Sequence, residues 1–415
     1  MRIDDQVHFC PPGRLIIQNG ARHTLPALLQ RLGYTMGVLV TDRFFFDKTP
    51  WVAELVHAAE AVGITLTVFA DGQADPTTTL CDQATRELRN VLQGTAPDHI
   101  IALGGGSNID LAKALSLTLL EGRPIADFTG DLGGLRPIPL VALPTTAGTG
   151  SEATPGAILV DPTNATKIAV MDNSLRPVIA LIDPEYTYTC PPTVTADAGI
   201  DAFTHAIESF LTRNSHEFER NSNPDPGYSG RSSLTMMFAR EAMRLCFAHL
   251  ETAYQQGNDI QARTGMAYAS LYAALSYGSA GLNAGHGIAY AVAGVTHRSH
   301  GSTNAVILPY VLDELVQDRP DEFLEIARMM DIDTADTEQA RRQVPVAVRA
   351  MIGRLGIPTD LKAFGIELEQ LDSLVEDSLG VVRLAKAFPV NNVAESYARI
   401  VRHAYHGRLT GAPAV

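Results

Sequence analysis

The chain contains little cysteine and no long apolar run. Its 415 residues include only four cysteines, and none of them forms a C-x-x-C pair. Such scattered cysteines predict neither a disulfide framework nor a thiolate metal site, and they fit a reducing cytoplasm. No stretch reaches the roughly 18 uninterrupted apolar residues that a membrane-spanning helix requires. The N-terminus also lacks the pattern of a signal peptide, so we expect a cytoplasmic protein without a membrane span.

Basic residues are scarce as well. The 32 lysines and arginines are outnumbered by 46 aspartates and glutamates, which gives a formal net charge of -14. This balance argues against nucleic acid and anionic membranes as partners. Apolar residues are plentiful, at 46% of the composition, and the length is sufficient for two domains of ordinary size.

Hydrophobic patterns divide the chain near residue 187. Before this point, short β-branched or leucine-rich runs alternate with segments of helical periodicity, an order typical of a largely parallel sheet. Predicted strands lie at 37–42, 65–70, 99–104, 139–143 and 178–183, predicted helices at 77–92 and 108–120, and a predicted hairpin at 157–171. We therefore predict an α/β nucleotide-binding domain with a mostly parallel sheet at 1–187.

After residue 187 the strand signals end and long helical patterns follow. These patterns cover 195–212, 232–254, 260–280, 304–315, 320–330, 339–355 and 391–406. A polar, helix-breaking stretch between Asn214 and Arg231 is predicted to be a loop. The second domain, at 188–415, is accordingly predicted to be all-helical.

Three histidines and one carboxylate in the second half could bind a metal ion. Asp201 and His205 are four residues apart in a helical segment, so they share one face about one turn apart. His286 and His300 each stand beside a glycine, where the backbone can approach closely. Such a donor set suits Fe(II) or Zn(II).

The first half contains motifs suited to a nucleotide. Gly104, Gly105, Gly106 and Ser107 form a turn between a predicted strand and helix, where backbone N–H groups and the helix N-terminus can bind phosphate. The segment 145–151 is a second small, hydroxyl-rich loop after a strand. Asp42 ends an earlier strand, where a carboxylate can accept hydrogen bonds from a ribose diol.

Taken in order, these motifs resemble the iron-containing, metal-dependent (group III) alcohol dehydrogenases over nearly the whole chain. The matching motifs are VTD at 40–42, DPT at 75–77, GGGSNIDLAKA at 104–114, LPTTAGTGSEAT at 143–154, DP at 183–184, GIDAFTHAIE at 199–208, HGIAY at 286–290 and SHG at 299–301. The resemblance implies a dehydroquinate synthase-like, iron-dependent alcohol dehydrogenase fold. It also implies NAD as a cofactor, Fe(II) or Zn(II) as the metal, and a homo-oligomer, expected to be a dimer.

The resemblance assigns roles to individual residues. The implied metal ligands are Asp201, His205, His286 and His300. The implied cofactor-binding residues are Asp42, Asp75, Gly104, Gly105, Gly106, Ser107, Thr145, Thr146, Thr149 and Lys167. Asp42 is expected to face the adenosine ribose and to favour NAD(H) over NADP(H), and Lys167 matches a family lysine close to the nicotinamide ribose.

The chain departs from the family pattern at one position. The family often has a second histidine four residues after the first C-terminal ligand, near the substrate, but this chain has Tyr290. A tyrosine can exchange hydrogen bonds, but its ordinary pKa near 10 makes it a poor base at neutral pH. Tyrosine here is similar to the hydroxyacid-oxoacid transhydrogenase branch. We count Tyr290 with His286 and Arg298 as the candidate catalytic residues.

Two arginines suggest a charged substrate. Arg298 lies two residues before His300, and Arg231 ends the predicted polar loop. A guanidinium close to the metal would suit an aldehyde or ketone that also carries a carboxylate, sulfonate or phosphonate.

The predicted function is a metal-dependent, NAD(H)-linked alcohol dehydrogenase or aldehyde reductase that acts on a short aldehyde or alcohol, neutral or acidic. A hydroxyacid-oxoacid transhydrogenase-like enzyme remains an alternative. A maleylacetate reductase-like enzyme is another alternative, although the complete ligand set argues against it. Sugar-phosphate cyclases and glycerol-1-phosphate dehydrogenases share the fold but fit the motifs less well, and a scaffold without turnover would be expected to have broken metal ligands.

Overall fold

A computed structural model describes residues 5–130, 132, 134–163, 166–220 and 223–411. The chain forms two compact units. The α/β unit consists of Cys10–Thr189 and Pro224–Gly227. The helical unit contains the segment before Cys10, Cys190–Asn223 and the chain from Tyr228 onwards. The observed change of unit after Thr189 compares with the predicted change after residue 187.

The α/β unit is built on parallel strands. The eight strands are β1 (Leu15–Ile17), β2 (Met36–Asp42), β3 (Thr65–Gly72), β4 (His99–Gly104), β5 (Leu140–Pro144), β6 (Gly156–Asp161), β7 (Thr166–Met171) and β8 (Ile179–Ile182). Six of them form one sheet in the order β1-β8-β5-β4-β2-β3, and every pairing in it is parallel. Strands β6 and β7 form an antiparallel hairpin. The carboxyl ends of β5, β4 and β2 are therefore neighbours, which is where parallel sheets bind nucleotides.

Helices cover both faces of this sheet, so its central strands are apolar throughout. The helices of the unit are α1 (Leu25–Arg31), α2 (Arg43–Lys48), α3 (Trp51–Glu60), α4 (Thr78–Val91) and α5 (Gly106–Glu121). In β4, Ile100 and Ala102 pack into one buried cluster, whereas Ile101 and Leu103 pack into another. Alternate residues thus face opposite layers, as a strand buried on both sides requires.

The helical unit contains no named strand among its described residues. Its helices are α6 (Pro192–Leu211), α7 (Ser233–Gln255), α8 (Ile260–Ala280), α9 (Ala284–Thr296), α10 (His300–Leu315), α11 (Pro320–Met329), α12 (Thr337–Arg354), α13 (Leu361–Phe364), α14 (Leu371–Gly380), α15 (Val382–Ala387) and α16 (Val393–His406). Helices α6, α7 and α8 pack against one another, and α10 packs on α6 and α9. None of the described helices combines the length and apolarity needed to cross a bilayer.

The predicted fold class, a mostly parallel α/β domain followed by an all-helical domain, is confirmed. Sequence periodicity did not predict α9, because its alanines and glycines give it little polar contrast. It also placed the start of α10 at residue 304, whereas the helix begins at His300. Both differences concern the site, since His286 and His300 lie in first turns of helices rather than in loops.

Candidate functional site

Three helices bring four potential metal ligands together in the helical unit. Asp201 and His205 lie on successive turns of α6, His286 lies in the first turn of α9, and His300 is the first residue of α10. One ligand atom from each of these side chains lies within 4.8 Å of every other. These residues are far apart along the chain, and they are joined by the packing of α10 on α6 and α9 and by the contacts of Glu208 on α6 with the first turn of α9.

The donor set fits one divalent cation. The carboxylate Oδ1 of Asp201 lies 3.7 Å from Nε2 of each of the three histidines, His205, His286 and His300. Bonds to Zn(II) or similar ions are roughly 2.0–2.2 Å long, so two ligands of one ion can be up to about 4.2 Å apart. Asp201, His205 and His286 are buried, whereas the side chain of His300 is 29% exposed. Solvent or a small substrate can therefore reach the cluster on the His300 side.

Glu208 holds the His286 ring in place from the side away from the cluster. Its Oε2 contacts Nδ1 of His286, and its Oε1 accepts hydrogen bonds from the backbone N–H groups of Asn283 (3.2 Å) and Gly285 (2.8 Å). A proton on Nδ1 that is donated to Glu208 leaves Nε2 as the free lone pair, which is the arrangement that metal-binding histidines use. Glu208 lies on α6, seven residues after Asp201, so the helical period places it on the ligand face. The sequence prediction did not assign it a role.

The charges of the cluster reinforce one another. Burial alone would raise the pKa of Asp201, but His205, His300 and His286 hold it below its ordinary value. Burial would lower the pKa of His286, whereas Glu208 and Asp201 raise it to about 10. The carboxylate of Asp201 is therefore ionised at neutral pH and supplies negative charge for a divalent cation. Such a cation would displace the proton that His286 carries on Nε2 at that pH, while the proton on Nδ1 stays with Glu208.

Asn304 extends this polar cluster by one turn of α10. Its amide nitrogen lies 2.9 Å from Oδ1 of Asp201, 3.1 Å from Nε2 of His286 and 3.2 Å from Nε2 of His300. The residue is fully buried, and its Oδ1 is a buried atom without a hydrogen-bond partner. The sequence shows an asparagine four residues after His300, but its contact with Asp201 depends on the packing of α10 against α6.

Two tyrosines flank the ligands. Tyr277 stacks on His205 with ring centroids 4.1 Å apart and is buried. Tyr290 stacks on His300 at 5.8 Å and meets His286 edge-on at 6.5 Å. Tyr290 therefore lies beside the more exposed ligand, where the sequence prediction placed a substrate-facing hydroxyl. Tyr277 carried no motif that could have identified it.

The two arginines singled out in the sequence lie in different surroundings. Arg298 is exposed, and its guanidinium carbon lies 4.7 Å from the ring centroid of Phe364. Arg231 is only 3% exposed, forms an ion pair of 2.6 Å with Glu322 and donates to the backbone carbonyl of Phe210. The guanidinium of Arg231 is therefore buried and already paired within the protein, unlike that of Arg298.

The α/β unit brings its two small-residue loops together at the ends of β4 and β5. The N–H of Thr145 donates to the carbonyl of Gly104 at 3.0 Å. A Cβ on Gly106 would lie 2.6 Å from Oγ1 of Thr149, so only glycine permits this approach. Gly105 lies opposite Thr146, with a closest approach of 3.6 Å to a Cβ built on the glycine. The loops leave a surface of backbone and hydroxyl groups at the start of α5, as phosphate binding requires.

Asp42 is the N-cap of α2 as well as the predicted ribose acceptor. Its Oδ1 accepts from the N–H groups of Phe44 (2.9 Å) and Phe45 (3.2 Å), and its Oδ2 accepts from the amide of Asn108 at 2.8 Å. A carboxylate has about four acceptor positions, so one remains on Oδ2. Asn108, which lies inside the glycine motif without a predicted role, thus ties Asp42 to the phosphate turn.

Three further predicted cofactor residues contact one another. Lys167 on the hairpin forms an ion pair of 2.8 Å with Asp75. The N–H of Asp75 donates to the hydroxyl of Ser107 at 3.2 Å, and Asp75 adopts a left-handed backbone conformation with φ of 48°. These contacts join the hairpin to the glycine turn, so they place Lys167 beside the predicted phosphate site.

A buried lysine fixes the second loop. Lys113 on α5 donates to the hydroxyl of Ser151 (3.0 Å) and to the carbonyls of Thr154 (2.9 Å) and Gly156 (2.7 Å). The hydroxyl of Ser151 also donates to the carboxylate of Asp110, which lies on α5 about one turn before Lys113. Burial lowers the pKa of Lys113 to about 8, although Asp110 opposes this shift. Lys113 and Asp110 both lie in the GGGSNIDLAKA motif, but the sequence prediction assigned neither of them a role.

Comparison with known proteins agrees with this geometry. Residues 12–184 match the family model described as iron-containing alcohol dehydrogenase. Residues 227–405 match the model described as Fe-containing alcohol dehydrogenase family, C-terminal. The two matches lie one on each side of the observed change of unit.

Individual relatives extend over nearly the whole chain. It is 30% identical over 399 residues to the NAD-dependent methanol dehydrogenase of Bacillus methanolicus, which covers 95% of this chain and 99% of the relative. It is 29% identical to the mitochondrial hydroxyacid-oxoacid transhydrogenase of Homo sapiens, over 90% of this chain and 84% of the relative. The crystal structure of a 1,3-propanediol oxidoreductase matches with a TM-score of 0.86 and 26% identity, and the match covers 96% of this chain and all of that one.

These matches confirm the predicted class of protein, an alcohol dehydrogenase-type oxidoreductase with NAD and iron as the cofactors of its family. The chain belongs to the iron-containing alcohol dehydrogenase family.

Proposed function

We propose that this protein is an NAD(H)-linked dehydrogenase that transfers a hydride between the nicotinamide and a short aldehyde or alcohol. In the reducing direction, a hydride, which is one proton with two electrons, passes from C4 of the dihydronicotinamide to the carbonyl carbon. NAD⁺ is formed, and a proton from solvent joins the carbonyl oxygen. The observation that supports this most is the convergence of three imidazole Nε2 atoms on one buried carboxylate oxygen.

Asp201, His205, His286 and His300 are the residues that would hold the metal. A divalent cation at this position supplies Lewis-acid chemistry, which polarises a carbonyl oxygen or lowers the pKa of an alcohol. Glu208 keeps His286 in the tautomer that binds, and the partial exposure of His300 leaves an approach for the substrate. Tyr290 lines that approach and can exchange a hydrogen bond with the substrate oxygen.

In the α/β unit we propose that Gly104, Gly105, Gly106, Ser107, Thr145, Thr146 and Thr149 bind the cofactor phosphates and neighbouring groups. Asp42 would accept a ribose hydroxyl through the remaining position of Oδ2, and it would repel a 2′-phosphate. Lys167 and Asp75 would lie by the nicotinamide ribose. Within this proposal the enzyme is a cytoplasmic homodimer.

The variant His286→Ala tests the metal site. It should lose bound Fe(II) or Zn(II), measured by mass spectrometry after loading and gel filtration, and nearly all NADH oxidation with short aldehydes. Its circular dichroism should remain that of a folded protein. His406→Ala is the matched control, because this histidine is exposed at the end of α16 and should change neither property. Normal metal content and turnover in His286→Ala would contradict the proposal.

A second candidate function is hydroxyacid-oxoacid transhydrogenation, which the tyrosine beside His300 favours. In that reaction a tightly held cofactor receives hydride from a hydroxy acid and returns it to an oxo acid, so no free NAD is consumed. Purified enzyme should then exchange hydrogen between deuterated 2-hydroxyglutarate and an oxo acid without added NAD. If exchange occurs only when NAD is added, the dehydrogenase function alone is supported.

A further inference from the structure

A third arginine lies near the metal cluster, and no sequence motif marks it. Arg383 is in the short helix α15, which packs against α9. Its guanidinium carbon lies 5.9 Å from the ring centroid of Tyr290, and the same ring stacks on His300 at 5.8 Å. Arg383 and the proposed ligand His300 therefore both contact the ring of Tyr290.

Arg383 lacks a counter-charge among the described residues. The side chain is half-buried, and its Nε is buried without a hydrogen-bond partner. Among the described residues, the guanidinium contacts the ring of Tyr290 and forms no ion pair. Buried polar groups normally have partners, and an unpaired charged donor is costly. Such a donor is expected where a ligand supplies the missing acceptor.

The other arginines with a similarly buried Nε behave differently. Arg22 pairs with Asp183 and Glu185, Arg220 donates to a backbone carbonyl, and Arg341 pairs with Glu338, each through another guanidinium nitrogen. Buried Arg231 is likewise paired in full. Among the described arginines with an unpaired buried Nε, Arg383 is thus the one whose guanidinium has neither a hydrogen bond nor an ion pair.

We propose that Arg383 is a specificity-determining residue that binds an anionic group, a carboxylate or sulfonate, at the end of the substrate away from the reacting carbonyl. The proposal rests on the proposed function, and it narrows the substrate class to short acidic aldehydes and the matching hydroxy acids. The planar guanidinium offers several N–H donors to such a group, and Tyr290 holds the guanidinium over its ring. Arg298 is less suited to this role, because it is exposed and stacks on Phe364.

The test compares two aldehydes of equal length in the metal-loaded holoenzyme. The unmodified enzyme should have a higher kcat/KM for succinic semialdehyde than for butanal. Arg383→Met should reduce kcat/KM for succinic semialdehyde by about 10- to 150-fold. The same variant should change kcat/KM for butanal by less than about threefold. Arg383→Lys keeps the charge but not the planar fork, so it should retain part of the preference. Arg402→Met is the matched control, since Arg402 is an exposed arginine on α16.

Other outcomes would overturn the assignment. An equal loss for both aldehydes in Arg383→Met would show a structural role, and a preference that disappears in Arg298→Ala instead would move the site to that residue. Calorimetric titration of butyrate into the metal-loaded protein separates this proposal from the proposed function. Weaker butyrate binding in Arg383→Met supports the anion site even if neither aldehyde is reduced, whereas equal binding in both proteins rejects it.

Discussion

Single residues that do not bind the metal themselves determine how the ligands are presented. Glu208 fixes the ring of His286 through Nδ1, and Asn304 lies within hydrogen-bond distance of three ligand atoms. Partners of this kind usually alter metal affinity by about 10- to 100-fold. The sequence predicted four candidate ligands but not these supports. Glu208 could have been found from its place on the ligand face of α6, whereas Asn304 required the packing of α10.

The buried carboxyl group of Glu152 makes the stability of the α/β unit depend on pH. Glu152 follows the serine that Lys113 holds, and burial raises its pKa to about 7, opposed by a backbone N–H and by the charge of Lys113. Between the ordinary pKa and about 7, the folded state keeps a proton that the unfolded chain has lost. The stability from this group is therefore present at low pH and is lost as the pH rises through 7.

Glu152→Gln should remove this dependence, because glutamine resembles the protonated carboxyl group and does not titrate. The decrease in free energy of unfolding from pH 5 to pH 8 should be smaller in the variant by up to about 3 kcal/mol. Urea denaturation at the two pH values measures it. Glu60→Gln, at an exposed position on α3, is the control and should behave like the unmodified protein. Parallel pH profiles for Glu152→Gln and the unmodified protein would refute the assignment.

At the scale of secondary-structure elements, α2 and the cofactor site depend on one side chain. Asp42 caps α2 and also carries the predicted preference for NAD(H). Glycine is a tolerable N-cap that costs only a few tenths of a kcal/mol relative to aspartate. Asp42→Gly therefore removes the carboxylate with little effect on the helix.

In Asp42→Gly the ratio of kcat/KM for NADPH to that for NADH should rise about tenfold or more, since a like-charge contact with a 2′-phosphate is lost. Steady-state kinetics with both cofactors measures the change. Asp336→Gly is the matched control, because Asp336 caps α12 through the same two N–H positions in the helical unit. It should leave the cofactor ratio unchanged. A ratio that also stays constant in Asp42→Gly would remove Asp42 from the cofactor site.

Elements with strong patterns were predictable, and those with uniform composition were not. The strands at β2, β4 and β5 were found because buried parallel strands are apolar over their whole length. Helix α7 was found because its apolar residues recur at helical spacing. Helix α9 lacks such contrast, and β1 has only three residues. The sequence patterns of both elements therefore cannot be distinguished from that of a loop. The missed helix carries His286, so the sequence did not predict that this ligand lies in the first turn of a helix.

At the scale of the whole molecule, the proposed metal ligands and the proposed phosphate-binding residues belong to different compact units. This division was predictable in outline, because strand patterns end where the long helical patterns begin. What the sequence did not predict is that the segment before Cys10 joins the helical unit and that Pro224–Gly227 joins the α/β unit. Such assignments depend on contacts between residues far apart in the chain and leave no local pattern.

The division into two units leads to a prediction for metal removal. A ligand at 100 times its Kd stabilises the folded state by about 2.7 kcal/mol. For a unit of about 200 residues, this corresponds to a shift in Tm of roughly 5–10 °C. Chelation should therefore lower the Tm of the helical unit by this amount and abolish turnover. NADH binding, measured by fluorescence titration, should change by less than about threefold, because its proposed phosphate contacts all lie in the α/β unit. Adding back Fe(II) or Zn(II) should restore both Tm and turnover. If chelation instead abolished NADH binding, the proposed cofactor site would depend on the metal, and the prediction would be wrong.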